Sequence, residues 1–209
     1  MKGRSSVKRD EGNFIIKRFV SPANKVNVYL VISGTEAAVV DAADTYQDIA
    51  NVLDELQLDL KYVFITHGHK SHVQAAPMLK ESFGGTICIH ALDSNLLKES
   101  GDALEPDMNL KDRESLPLGG IMVTVIHTPG HTPGSLCFYL KKVGALFSGD
   151  TILKGEFGKI WGPHSMGLML RSLKRLNSIM PPKTVVYPGH GSQTSMSKEA
   201  WLDCLDNLS

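Results

Sequence analysis

The sequence predicts an α/β fold in which two β-rich halves pack sheet against sheet, with their helices outside. Strand-like and helix-like patterns alternate along the 209 residues, of which 42% are hydrophobic and 21% charged, the balance of a globular protein. A faint repeat also relates the two halves of the chain. Since each half is too small to bury both faces of its own sheet, the two halves are expected to share one core.

Apolar runs bounded by turn residues predict a series of short strands. In chain order these runs cover residues 14–19, 26–32, 37–40, 62–66, 86–89, 121–126, 136–140, 145–147 and 184–187. Residues 101–119 are polar and punctuated by proline and glycine, which predicts a loop. We expect residues 1–12 to form a flexible tail and residues 13–209 to form a single domain.

Helical periodicity appears between several of these strands. One apolar stripe at positions i, i+3, i+4 and i+7 consists of Ile49, Val52, Leu53 and Leu56. Further helices are predicted over residues 75–79, after Asp93, over residues 168–176 and over residues 198–208.

The repeat pairs two strand–helix–strand units. In the first half, a strand that ends in Asp41 precedes a helix and then a strand that runs into His67. In the second half, a strand that ends in Asp150 precedes a helix and then a strand that runs into His190. Packing the halves together would therefore bring the polar ends of these strands to one edge.

Charge and cysteine content narrow the classes of protein. Lys plus Arg and Asp plus Glu both number 22, so the basic excess typical of nucleic-acid binders is missing. No apolar run reaches the ~20 residues of a membrane span. The three cysteines are scattered and lack a CxxC spacing, which favours a reducing compartment, and we expect a cytoplasmic location.

Histidine supplies the strongest local signal. His67, His69 and His72 lie within six residues, directly after a predicted strand. Neutral imidazole is the commonest ligand for divalent transition metals, and three imidazoles plus water form a typical catalytic zinc site. An exposed turn that is rich in histidine by chance is the alternative.

Three other segments repeat the same arrangement. They are the sequences TPGHTPGS at 128–135, FSGDT at 147–151 and YPGHG at 187–191, and they carry His131, Asp150 and His190. Each places one metal-binding side chain after a strand and next to glycine, which lets the backbone turn sharply. Four such segments together favour a metal site over chance.

These motifs and their order resemble the metallo-β-lactamase superfamily, and most closely its short glyoxalase II (hydroxyacylglutathione hydrolase) branch. The resemblance covers about residues 26–195. It implies a four-layer αβ/βα sandwich with metal ions at the edge between the two sheets.

The resemblance also implies roles for individual residues. His67, His69 and His131 correspond to the ligands of a first metal, and His72 and His190 to ligands of a second. Asp150 corresponds to the carboxylate that bridges the two metals and orients the attacking water. Asp41 corresponds to a buried group that orders the histidine turn without binding metal.

One position departs from the family pattern. The family motif HxHxDH has an aspartate where this chain has Ser71. A neutral hydroxyl is a poor ligand for a divalent cation, so we expect one firmly bound Zn²⁺ and a weakened second site. Iron or manganese remains an alternative to zinc.

Residues outside these motifs are assigned weaker roles. His127 is expected to be a structural neighbour of the site. The loop after Asp150 borders the active site in relatives. Its candidates for contact with the substrate are Trp161, His164, Lys154 and Lys159.

The predicted function is hydrolysis by metal-bound hydroxide, with a thioester as the substrate. The expected partner is a small molecule, with neither nucleic acid nor membrane involved, and the oligomeric state stays open. Two alternatives remain. One is a mononuclear non-haem iron enzyme similar to the persulfide dioxygenases, with His67, His131 and Asp150 as ligands. The other is a non-catalytic module that binds metal.

Overall fold

The computed structural model of the protein describes residues 14–94, 97 and 104–208. It confirms the α/β prediction, because the described residues form two six-stranded sheets with helices. The first sheet runs in chain order, with strands β1 Phe14–Val20, β2 Asn27–Ser33, β3 Glu36–Val40, β4 Asp59–Phe64, β5 Thr86–His90 and β6 Met108–Leu110. The second has the order β12-β11-β10-β9-β8-β7, with strands β7 Ser115–Leu118, β8 Ile121–His127, β9 Leu136–Leu140, β10 Ala145–Gly149, β11 Val185–Pro188 and β12 Thr194–Ser195.

Helices connect three pairs of parallel neighbouring strands among the described residues. Helix α1 (Tyr46–Leu56) lies between β3 and β4, and α2 (Ala76–Phe83) lies between β4 and β5. Helix α3 (Pro163–Ile179) connects β10 with β11, which are also parallel. The strand–helix–strand units β3-α1-β4 and β10-α3-β11 are the two copies of the repeat predicted from the sequence.

Three apolar clusters separate four layers. The first lies between the first sheet and helices α1 and α2, the second between the two sheets, and the third between the second sheet and α3 with the C-terminal segment. Burying one large aliphatic or aromatic side chain stabilises the fold by roughly 1.5–3 kcal/mol. The middle cluster thus ties the two halves into the sandwich.

Strand β2 shows how sequence pattern becomes layer position. Leu30 and Ile32 face the cluster under α1, whereas Tyr29 and Val31 face the cluster between the sheets. Every residue of β2 is buried, because the strand is covered on both faces. The nearly continuous apolar run in its sequence therefore reflects two buried faces.

Two sequence predictions about secondary structure are wrong in part. The sequence predicts a loop over residues 101–119, but β6 and β7 lie within this range. Both strands are short, and only their terminal Leu110 and Leu118 are fully buried. The alternation in β7 spans only four residues and includes a proline, so it is a weak strand signal. The helix expected at 198–208 is a 3-10 helix at Ala200–Leu208.

Some predictions fall outside the described residues. These are the tail at 1–12 and most of the helix after Asp93. The single-domain assignment stays a prediction. Within the described part of the chain, no helix combines the length and the apolar character needed to cross a bilayer.

Candidate metal centre

The candidate ligands lie on loops that follow strand ends at one edge of the sandwich. The loop with His67 and His69 follows β4, and the loop with His131 follows β8. Asp150 comes directly after β10, and His190 follows β11. Residues from both sheets therefore meet at the seam between them.

Three imidazoles converge at this edge. Ring centroids are 4.7 Å apart for His67 and His69, 4.7 Å for His67 and His131, and 4.8 Å for His69 and His131. Nε2 of His131 lies 3.1 Å from Nδ1 of His69, and ligand atoms of all three lie within 4.8 Å of one another. We call this set the three-imidazole group.

A second group shares His67 with the first. It consists of His67, His72 and Asp150, whose ligand atoms also lie within 4.8 Å of one another. The His72 ring lies 4.1 Å from that of His67, and Oδ2 of Asp150 lies 3.6 Å from Nε2 of His131. Asp150 thus lies between the two groups, where a shared ligand would be placed.

His190 joins this arrangement from the second sheet. Its Nδ1 lies 2.9 Å from Oδ1 of Asp150, and its ring lies 5.3 Å from that of His72. It contacts Asp150 but lies outside the second group. Ser71 is half-buried in the 3-10 turn Lys70–His72, so the position that the family motif gives to a carboxylate carries a hydroxyl.

Asp41 orients two of the imidazoles. Its Oδ1 accepts a hydrogen bond from the Thr66 amide (2.8 Å), while Oδ2 accepts from the Thr66 hydroxyl (2.8 Å) and from Nδ1 of His72 (3.0 Å). Because a carboxylate oxygen accepts, the Thr66 hydroxyl donates to Asp41 and its oxygen accepts a hydrogen bond from Nδ1–H of His67, 3.0 Å away. Both imidazoles then keep the Nε2 lone pair for a cation.

These residues fit a divalent transition metal. The Nε2 atoms of His67 and His72 are buried and have no hydrogen-bond partner among the described residues. Buried polar atoms normally have a partner, and these two belong to the side chain that transition metals prefer. A Cβ at position 189 would lie 2.5 Å from Oδ1 of Asp150, so Gly189 preserves the space beside the carboxylate.

The electrostatics favour ligand-competent forms. Burial, with the His72 imidazole nearby, holds the pKa of His67 well below its ordinary value, and burial also lowers the pKa of His69. Burial alone would raise the pKa of Asp150, but the hydrogen bond from His190 and the neighbouring imidazoles keep this pKa below its ordinary value. The same hydrogen bond raises the pKa of His190. The chain thus favours neutral imidazoles at His67 and His69 and an ionised carboxylate at Asp150 beside them.

Comparison with known proteins identifies the family. The sequence profile described as the metallo-beta-lactamase superfamily matches residues 22–190, a span that contains every group described above. The chain belongs to the metallo-β-lactamase superfamily. The resemblance seen in the motifs is therefore confirmed.

Several relatives are similar over most of the chain. The hydroxyacylglutathione hydrolase GloC of Haemophilus influenzae is 30% identical, over 78% of this chain and 84% of the relative. The BLEG-1 B3 metallo-beta-lactamase superposes with a TM-score of 0.80 at 27% identity, covering 89% of this chain and 96% of that one. The protein TTHA1623, solved in a di-iron-bound form, gives a TM-score of 0.74 at 29% identity, over 88% and 96%.

Asn27 supports the His190 loop of this superfamily member, and the sequence predictions lack it. Its side-chain amide donates to the carbonyls of Pro188 and Gly191, both at 2.8 Å, on either side of His190. The Tyr29 hydroxyl also donates to the Pro188 carbonyl at 2.8 Å. Both belong to β2, so the first sheet holds a loop of the second. A polar residue opening an apolar strand was the available signal.

Asp93 is a second buried group that the sequence predictions lack. It lies at the end of the 3-10 turn Ala91–Asp93 after β5 and is 0% exposed. Its carboxylate accepts hydrogen bonds from the Gly68 amide, the Thr132 hydroxyl and the Gly134 amide. A carboxylate shortly after a strand, as at two other strands of this fold, was the signal that could have found it.

Two of the predicted substrate-contact residues lie beside the three-imidazole group. Trp161 is 60% exposed, and its ring centroid lies 6.2 Å from that of His69. The Lys159 ammonium lies 4.2 Å from the centre of the Trp161 ring. The Lys159 carbonyl accepts the hydrogen bond from Nδ1 of His131 at 2.9 Å, which ties this loop to the group.

Other predicted residues are not brought into the group. His127 stacks on His90 with ring centroids 4.2 Å apart, and none of its contacts with described residues reaches a candidate ligand. Exposed Lys154 lies near Glu199, whose pKa it helps to lower. His164 is exposed in the first turn of α3.

Proposed function

We propose that this chain is a metal-dependent hydrolase that cleaves a thioester at the three-imidazole group. The observation that carries the proposal is the convergence of His67, His69 and His131, with the Asp150 carboxylate 3.6 Å from Nε2 of His131. Imidazole ligands suit zinc, which we propose as the ion. Such an ion, when bound, supplies hydroxide at neutral pH and polarises a carbonyl.

Asp150 is the group proposed to orient the attacking water. Its Oδ1 receives the hydrogen bond from His190, which leaves Oδ2 facing His131. An ionised carboxylate in this position accepts a hydrogen bond from water and so orients it. The depressed pKa of Asp150 supports this role at neutral pH.

A thioester is the substrate class that this ligand set favours. With Ser71 in place of a carboxylate, a second ion that could receive the charge of a leaving group would be held more weakly. A thiol has a pKa of about 8.5, so a thiolate needs less stabilisation by a metal ion or an acid to leave than a lactam nitrogen does. The similarity to a protein named hydroxyacylglutathione hydrolase supports the same class.

Trp161 and Lys159 are proposed to contact the substrate. The exposed indole supplies an apolar surface beside His69, and the ammonium above it supplies a positive charge. A substrate with an anionic group near the thioester would complement this pair.

Counting metal ions tests the weakened second group. Metal-free protein reconstituted with zinc and freed of excess ion is expected to retain about one zinc per chain, measured by elemental analysis. The Ser71→Asp variant is expected to retain about two, because a carboxylate completes the second ligand set. Two tightly held ions in the unaltered chain would contradict the weakening.

Hydrolysis of a hydroxyacyl thioester of glutathione tests the activity. The zinc-loaded protein is expected to release thiol, and His131→Ala is expected to reduce kcat/KM at least ~100-fold by removing a ligand. His90→Ala serves as the matched control, since His90 contacts no candidate ligand among the described residues, and we expect a change below about threefold. Failure of both the unaltered chain and Ser71→Asp with zinc, manganese or iron would favour a non-catalytic metal-binding module.

A mononuclear iron enzyme is the second candidate. His67, His131 and Asp150 provide two imidazoles and one carboxylate, the donor set that suits a single iron ion, and the similar protein TTHA1623 has been solved with two iron ions. Oxygen consumption by the iron-loaded protein with glutathione persulfide, exceeding its thioester hydrolysis, would favour this candidate over the hydrolase.

A further inference from the structure

The Asp93 carboxylate connects two loops that are distant in sequence. Oδ2 accepts hydrogen bonds from the Gly68 amide at 2.9 Å and the Thr132 hydroxyl at 2.7 Å. Oδ1 accepts one from the Gly134 amide at 2.6 Å. These partners lie 25, 39 and 41 residues away from Asp93.

Two of the three partners of Asp93 adjoin residues of the three-imidazole group in sequence. Gly68 separates His67 from His69, while Thr132 follows His131 directly. One carboxylate therefore restrains the β4–α2 loop and the β8–β9 loop at the same time. One backbone hydrogen bond also joins these two segments, from the Leu136 amide to the Thr66 carbonyl at 2.8 Å, and Asp93 supplies the contacts at Gly68, Thr132 and Gly134.

The fit around Asp93 is close. A Cβ at position 134 would lie 2.6 Å from Oδ1 of Asp93, so only glycine lets the backbone amide approach this near. Among the described residues, Asp93 forms no ion pair with a lysine or arginine. Three donors among the described residues hydrogen-bond to its two oxygens, and a carboxylate suits three donors because its oxygens accept.

We propose that Asp93 is a positioning residue, which holds the two histidine-carrying loops so that His67, His69 and His131 face one ion. The inference rests on the proposed function only in taking these three as metal ligands. Outer groups that orient ligands typically change metal affinity by 10–100-fold when they are altered.

Amide hydrogen exchange in the metal-free chain tests the loop contact directly. The Gly68 and Gly134 amides are expected to be protected, and Asp93→Ala is expected to expose both. Asp93→Asn keeps one oxygen, which can accept from the two donors at the Oδ2 position, Gly68 and Thr132. Its side-chain NH2 group then faces the Gly134 amide, so protection from exchange is expected to fall mainly at Gly134. The Thr66 amide, held by Asp41, is the internal reference and should keep its protection. Unchanged exchange at Gly68 and Gly134 in Asp93→Ala would overturn the proposal.

Zinc affinity tests the consequence for the site. Competition with a chelator is expected to show about 10–100-fold weaker zinc binding in Asp93→Asn, and a Co²⁺-substituted sample is expected to show an altered absorption spectrum. Glu199→Gln is the matched control. Glu199 is also a buried carboxylate (3% exposed) with three donors, from Gly155, Thr194 and Trp201, and it contacts neither histidine loop.

The two variants separate positioning from general stability. Both are expected to lower the free energy of unfolding of the metal-free protein, but only Asp93→Asn should weaken zinc binding more than about threefold. Equal losses of affinity in the two variants would overturn the positioning role. If the protein binds zinc as expected but cleaves no thioester, the proposed function fails while the role of Asp93 stands.

Discussion

At the residue scale, Asp41 combines an unusual backbone with three buried hydrogen bonds. Its φ is +56°, in the left-handed region that few residues other than glycine, asparagine and aspartate adopt readily. This conformation turns the chain after β3 and directs the carboxylate at Thr66 and His72. The same side chain thus shapes the turn and fixes two imidazoles.

The Asp41→Asn variant should separate charge from conformation. Asparagine tolerates the left-handed region, so the substitution adds little backbone strain. Its side-chain NH2 group, however, would face hydrogen-bond donors that the Asp41 carboxylate accepts from. We expect a loss of about 1–3 kcal/mol in the free energy of unfolding, measured by urea titration of the metal-free protein. Asp48→Asn, an exposed acid in the first turn of α1, should cost less than about 1 kcal/mol. Similar losses in both would contradict a special role for Asp41.

At the element scale, α3 supports the loop that carries His131. Gly130 packs so closely on the helix that a Cβ there would lie 2.6 Å from Cα of Met169, which is 0% exposed. The Ser172 hydroxyl donates to the Pro129 carbonyl of the same loop at 2.8 Å. Helix α3 is therefore a platform for the loop as well as a cover for the second sheet.

Two glycine-to-alanine changes, with opposite expected effects on the free energy of unfolding, test this packing. Gly130→Ala should destabilise the protein by roughly 1–3 kcal/mol, because the new methyl group overlaps the helix backbone. Gly167→Ala lies inside α3, where the nearest atom to the added Cβ is 3.7 Å away, and should stabilise by about 0.5–1 kcal/mol through helix propensity. Urea denaturation measures both. A destabilised Gly167→Ala, or an unaffected Gly130→Ala, would contradict these contacts.

At the scale of the whole molecule, a half-buried salt bridge connects segments far apart in the chain. Asp112, in the turn between β6 and β7, accepts hydrogen bonds from Arg175 of α3 at 3.0 and 2.8 Å and from the His127 amide at 2.8 Å. Partial burial would raise the pKa of Asp112, but Arg175 and the amide together hold it below its ordinary value of 3.8.

This shift predicts acid sensitivity with a definite sign. The folded chain binds the Asp112 proton less readily than the unfolded chain, so the stabilisation is complete above the ordinary pKa and is lost as pH falls through the lower, folded value. We expect the free energy of unfolding of the metal-free protein to fall from pH 5 to pH 3, and Asp112→Asn to reduce that dependence. An unchanged pH slope in the variant would contradict the assignment.

The sequence could predict those parts of the site whose residues lie close together in the chain. At His67, His131 and His190, the histidine lies within a few residues of a strand and a glycine, so each motif can be recognised by itself. Asp93 and Asn27 are not, because their partners are 25 or more residues away and only the packed sheets bring them together. The same holds for β6, whose three residues become a strand only by pairing with β5.

The two halves of the chain each contribute part of the candidate ligand set. His67, His69 and His72 come before the turn at residues 111–114, and His131, Asp150 and His190 come after it. A chain cut in that turn would give two fragments, each with an incomplete set of candidate ligands. We would then expect added zinc to bind tightly only when the two fragments associate. The two hydrogen bonds from the Asn27 side chain to Pro188 and Gly191 would likewise form only in the associated pair.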